Sequence, residues 1–194
     1  MSANVSLKRK ITLRRKEEQA TFTFKGKLKV KLLWQSKTDL DLCLFFAKKN
    51  GEIGGVFSNE YRGKRSDLGD LDKFPFMLHM GDNHEPSRGG EETEQINIAR
   101  FDEIDKAYIC IVNYGAAVDG KDVTYAEEGG RIELESDSGD YLEVLADSSE
   151  EGHVYLVCSI KNNEGEYALK NESKVMDLGE AFSKIPGFSL ICND

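Results

Sequence analysis

Alternation with a period of two dominates the chain. In KGKLKVKLLW, residues 25–34, Leu28, Val30, Leu32 and Trp34 fall on one side, with Lys27, Lys29 and Lys31 on the other. That is the pattern of a strand with one buried and one wet face. DLDLCLFFA (39–47), IGGVF (53–57), FPFMLHM (74–80), QINIA (95–99), KAYICIVNY (106–114), RIEL (131–134), YLEVLA (141–146) and HVYLVCSIKN (153–162) continue the series, and GFSLIC (187–192) closes it. NGE at 50–52 and NNEGE at 162–166 supply the asparagine and glycine that tight hairpins need.

Short strands at this spacing predict an all-β fold, an antiparallel β-sandwich. One segment, SKVMDLGEAFSKI (173–185), predicts a short C-terminal helix. Ser173 would cap it, Val175, Leu178 and Phe182 share a helical face, and Pro186 with Gly187 ends it. Gly179 weakens that helix by about 1 kcal/mol relative to alanine. Long polar loops complete the picture, the longest being SNEYRGKRSDLGDLDK, 58–73; a connection of that length inside a compact domain is usually functional or mobile. No linker rich in proline, glycine and serine divides residues 1–194, so a single domain is expected.

Composition narrows the function classes. The net charge of −9 disfavours general affinity for nucleic acid or acidic membranes. The first sixteen residues run against it, with six basic side chains and no acidic one. Residues 1–20 read either as a basic arm for an acidic partner or as a solvated first strand with Val5, Leu7, Ile11 and Leu13 at strand spacing. Four cysteines, at 43, 110, 158 and 192, form no CxxC pair, and the first three sit inside apolar runs. Buried reduced thiols, no secretory leader and no apolar run long enough for a membrane span point to a cytoplasmic protein.

The candidate chemistry is acidic. HMGDNHEPSRGGEETEQINI, 79–98, holds five carboxylates and three glycines. Such crowding is relieved either by water or by a cation. On a strand Asp39 and Asp41 point to the same face, giving half of a cation cage. Asp82 and Asn83 of GDN, with Glu91, Glu92 and Glu94 of GGEETE, could supply the other half. Calcium takes six to eight such oxygen ligands. The spacing is not that of an EF-hand, since the third and twelfth positions from Asp82 are His84 and Thr93. The plainer reading of these acidic loops is solvated surface. His79 and His84 flank GDN and raise a zinc or general-base alternative, but no third soft ligand is near in sequence. GxSxG, P-loop and dinucleotide fingerprints are absent, so no enzyme is expected.

In order and spacing, KVKLLW followed by DLDLCLFF, LGDLDKFPFMLHMGDN, GGEETEQINI, KAYICIVNYGAA and VMDLGEAF resemble the TerD superfamily, the tellurium-resistance and stress-response proteins of bacteria, and most of all its TerA branch. The resemblance covers roughly residues 5–190. It implies a β-sandwich that binds Ca2+ at one edge, with Asp39, Asp41, Asp82, Asn83 and Glu94 as ligands and Glu91 and Glu92 in the acidic segment. It also implies a calcium-dependent stress-response module that meets other stress-response proteins or an anionic partner such as a phosphorylated protein or a lipid headgroup. The loop departs from the family pattern, which runs RTGEGDGDDE where this chain has HEPSRGGEETE. A metal-free adaptor with a degenerate site is therefore the alternative.

Overall fold

The computed structural model describes residues 9–81 and 91–192. Thirteen strands are described, with few helical turns. In chain order they are β1 (Lys10–Leu13), β2 (Gln19–Phe22), β3 (Leu28–Trp34), β4 (Asp41–Lys48), β5 (Ile53–Val56), β6 (Gly69–Asp70), β7 (Met77–His79), β8 (Glu92–Ile98), β9 (Ile104–Val112), β10 (Gly130–Ser136), β11 (Tyr141–Ala146), β12 (Val154–Asn163) and β13 (Glu166–Met176). Two short helices are α1 (Tyr114–Asp119) and α2 (Leu178–Lys184), and 3-10 turns cover Arg65–Leu68 and Phe188–Cys192.

The strands form a sandwich as expected. Sheet A has the order β1-β11-β10-β3-β8-β7-β6 and sheet B the order β2-β13-β12-β9-β4-β5. All neighbours are antiparallel except β1, which runs parallel to β11 at the sheet edge. The alternation read in β3 is the observed burial. Leu28, Val30, Leu32 and Trp34 enter the core while Lys29 and Lys31 face outward opposite Glu135 and Glu133 of β10. Cross-strand opposite charges of this kind support the register.

Two apolar layers result. Leu40, Leu42, Leu44 and Phe46 point between the sheets and join Val30, Leu32, Ile96, Ile109 and Leu134 in the main core. Cys43 and Phe45, of opposite parity, point to the outer side of sheet B, where Phe57, Ala181, Ile185, Phe188 and Ile191 cover them. β4 is thus buried on both faces, which explains its unbroken apolar run.

The C-terminal elements differ from expectation. Residues 173–176 complete β13 instead of opening a helix, and α2 begins at Leu178 with Asp177 as its cap, accepting from the Glu180 N–H. GFSLIC forms a 3-10 turn, not a strand; Phe188 and Ile191, three residues apart, share its buried side. Gly187, at φ +90°, lies against β5 so closely that a β-carbon there would sit 2.4 Å from the Gly54 carbonyl oxygen. No helix among the described residues is long and apolar enough to cross a membrane.

Candidate functional site

Asp39 is carried on the loop between β3 and β4, and several hydrogen bonds fix that loop. Trp34 Nε1 donates to the Thr38 carbonyl at 2.8 Å. Glu128 accepts from the hydroxyls of Ser36 and Thr38, and its own carbonyl accepts from the Gln35 N–H. Asp41 opens β4 with the same parity as Cys43 and Phe45, on the outer side of sheet B. The Tyr61 hydroxyl donates to Asp41 Oδ2 at 2.6 Å. Burial, then the nearby Cys43 and Asp41, push the Tyr61 phenol well above its usual range, so it acts as a donor throughout the physiological pH window.

Tyr61 comes from the long polar connection, which the fold holds firmly. Arg62 Nε donates to Asp67 Oδ2 at 2.9 Å, and its guanidinium lies 5.5 Å from the Phe57 ring centre. Rings continue in contact from Phe188 through Phe45 and Phe57 to Tyr61 and Tyr114, with centroids 5.1–6.2 Å apart. The Ser58 hydroxyl accepts from the Glu60 N–H, turning the chain at the rim. Asp39, Asp41, Ser58, Glu60, Tyr61 and Tyr114 thereby line one cleft of about 190 Å³. Every polar side-chain atom lining it is oxygen, the donor set that suits hard cations.

A second arrangement closes the other side of the same strand. β5 pairs with β4 only from Leu44 onward, which leaves the Leu42 backbone beyond the end of its neighbour. Sheet A completes it. Glu94 Oε2 accepts from the Leu42 N–H at 2.6 Å, and His79 Nε2 donates to the Leu42 carbonyl at 3.1 Å. His79 Nδ1 accepts from the Gly81 N–H at 3.0 Å, which puts the ring proton on Nε2. An edge amide left bare at this depth would cost about 1–3 kcal/mol. Both ring nitrogens of His79 serve the backbone, which accounts for the histidine without zinc. The Gly81 contact fixes the backbone just after β7.

The sequence-derived candidates separate as follows. Asp39 and Asp41 line the cleft. Asp82, Asn83 and His84 lie outside the described residues. Glu94 is buried and bonded to Leu42. Glu92 pairs in register with Trp34, whereas Glu91 is taken by Arg131, whose Nη1 donates to its Oε1 at 2.6 Å. That guanidinium holds the Glu91 carboxyl below its usual range. Glu60 and Ser58 were missed; the only hint in the sequence was the length of the polar connection. Among the described residues no three of histidine, cysteine, aspartate and glutamate close onto a single point. Cys43, Cys110 and Cys158 are fully buried and their thiols are pushed up by burial, while Cys192 is exposed. No family model matches the chain, nor does any curated protein or solved structure.

Proposed function

We propose that this chain is a calcium-binding β-sandwich module of the TerD-like, stress-response kind, engaging a protein or other anionic partner through its cation-bearing rim. The observation that carries the reading is the gathering of Asp39, Asp41, Glu60 and Ser58 around one cleft. Asp39 and Asp41, with Asp82 and Asn83 as the resemblance implies, would hold the ion, and Glu60 adds negative charge to the rim. A bound divalent cation supplies positive charge that offsets the mutual repulsion of these carboxylates. Tyr61 orients Asp41, Glu128 and Trp34 hold the Asp39 loop, and Ser58 positions Glu60. These residues organise the rim before any ligand arrives, which lowers the ordering cost of binding.

Calorimetric titration with calcium and with magnesium tests the reading, on the wild-type chain and on Asp39→Asn/Asp41→Asn. At a hundred times its dissociation constant calcium should stabilise the fold by about 2.7 kcal/mol, a rise of roughly 5–10 °C in Tm for a chain of this size. The double variant should lose that response while its metal-free melting stays close to wild type. Absence of heat at millimolar calcium overturns the proposal.

A second reading, a metal-free adaptor, is favoured by the engagement of Glu91 with Arg131 and of Glu94 with Leu42, which takes two of the family-implied acidic positions into structural roles. A Tm unmoved by calcium or by chelator selects it.

A further inference from the structure

The two sides of the sandwich end differently. On one side β6 is only two residues long, β5 lies against Gly187, and the Phe57 N–H just after β5 donates to the Asp67 carbonyl of the 3-10 turn. On the other side β1 closes sheet A and β2 closes sheet B, and neither has a second neighbour among the described residues. Edges of this kind are templates for another strand unless charge, proline or a cover guards them. β1 carries Lys10 and is flanked by Arg9 and Arg14. β2 reads QATF, with neither charge nor proline.

Alternation tells which backbone groups of β2 are open. Asn171 of β13 faces β2, since its N–H donates to the Glu18 carbonyl and its carbonyl accepts from the Glu17 N–H. Leu169 and Tyr167, at alternate positions, face the same way, and their register partners Ala20 and Phe22 bond back to them. The N–H and C=O groups of Gln19 and Thr21 therefore point outward, and both residues are exposed. A shallow crevice between the two edge strands is lined by Arg9, Ile11, Thr21, Phe22 and Leu142, with Asp140 as its one acid. It offers apolar surface to every second side chain of a strand laid on β2. Basic groups frame the edge: Arg14, Arg15 and Lys16 are exposed at its Gln19 end, Arg9 and Lys25 at its Phe22 end. The two acids of the turn are engaged, Glu18 by the Arg14 and Arg15 N–H groups and Glu17 by Lys170.

We propose that the free edge of β2 takes up an extended, acidic segment of a partner protein as an added strand, its backbone bonded to Gln19 and Thr21 and its ends met by the basic groups. In this mode main-chain bonds supply the affinity and alternate side chains choose the guest. A second copy is the poorer guest. Two β2 strands paired antiparallel would set the Arg14–Lys16 end of one beside the Lys25 end of the other, cation against cation. An acidic guest reverses the sign at both ends. The mode uses neither the cleft at Asp39 nor calcium, so it stands apart from the proposed function.

Fluorescence anisotropy on the full chain in chelator tests it, with the labelled peptide Glu-Glu-Thr-Val-Thr-Val-Thr-Glu-Glu as probe. Saturable binding is expected, weaker by about tenfold or more when lysines replace the glutamates, and weaker as salt rises from about 0.15 M to about 1 M. N-methylating the peptide at one alternate set of residues should abolish binding and at the other set spare it, because only every second amide faces the neighbouring strand. Thr21→Pro removes an outward N–H and leaves the bonds to β13, so binding should weaken by about tenfold or more with little change in Tm. Should that variant melt early, the methylated peptides on the wild-type chain decide the matter. Arg14→Gln/Arg15→Gln should weaken binding several-fold and flatten its salt dependence. No binding at millimolar peptide overturns the proposal, as do equal effects of the two methylation patterns or binding unmoved in a folded Thr21→Pro chain. Sedimentation velocity separates the remaining occupant. A wild-type mass that climbs above 21.8 kDa with concentration and returns to it in Thr21→Pro makes the guest a second copy, which also overturns the proposal.

Discussion

The structure gathers carboxylates in two places and treats them differently. On the outer side of sheet A, Arg131 bonds Glu91 and Glu133, at 2.6 and 3.0 Å, and lies 3.7 Å from Glu143. At the rim of sheet B, Asp39, Asp41 and Glu60 share a cleft whose described lining contains no lysine or arginine. In the first place Arg131 of β10 supplies the counter-charge, to Glu133 on its own strand, to Glu143 on β11 and to Glu91 across β3, and the glutamates become part of the scaffold. In the second the described lining offers oxygen donors and aromatic edges. Acidic density alone therefore says little; what matters is whether an arginine on the same sheet face reaches the carboxylates.

The strand β4 is held by both sheets, paired with β9 in sheet B and bonded to Glu94 of sheet A. Glu94→Ala removes a buried acceptor and leaves the Leu42 amide bare. A loss of about 3 kcal/mol is expected, seen as a Tm lower by roughly 6–12 °C; a change within about 0.5 kcal/mol would mean that the cross-sheet bond contributes nothing. Arg131→Met tests the scaffold gathering. It leaves three glutamates facing one another on a partly exposed sheet surface, and a loss of about 2 kcal/mol is expected in chemical denaturation, below that for a fully buried ion pair.

The smallest effect carries the sharpest sign. Arg131, first by hydrogen bonding, holds the Glu91 carboxyl below its usual value of 4.5. A carboxyl lowered in the folded state contributes stability that is complete above its unfolded value and disappears as the pH falls through the folded one. Wild-type stability from this site should therefore decline on acidification below about 4.5. In Arg131→Met the glutamates repel, so their protonation favours the fold, and stability at this site should rise as pH falls from about 6 toward 4. Denaturant melts of both chains across that range read the difference directly. Parallel slopes would show that Arg131 does not neutralise the group.

Much of the fold was legible because side-chain parity has few alternatives. Once Leu28, Val30, Leu32 and Trp34 define one face of β3, its neighbours follow. The C-terminal region was harder. Val175, Leu178 and Phe182 satisfy a helical period, yet Val175 lies in β13, and the strand continues to Met176 past a bulge at Glu172 and Ser173 opposite β12. GFSLIC is apolar enough for a strand, and only the three-residue interval between Phe188 and Ile191 hints at the tighter turn. At the site, Asp39 and Asp41 line one cleft as their spacing suggested, although Asp39 lies on the loop before β4 and not on the strand whose parity paired them. Glu60 could not be placed there from sequence, because it reaches the cleft beside Tyr61, whose ring packs edge-on against Tyr114 across more than fifty residues of sequence. Glu91 and Glu94 look equivalent in GGEETE, but Glu91, just before β8, meets Arg131 while Glu94 turns in to the Leu42 backbone.

Trp34 is the only tryptophan in the chain, and its indole N–H is bonded to Thr38, next to Asp39. Its emission therefore arises almost entirely from the spot where a ligand would pull on the β3–β4 loop. The molecule carries its own optical gauge, and a shift in fluorescence wavelength or intensity on adding calcium would be visible without any label.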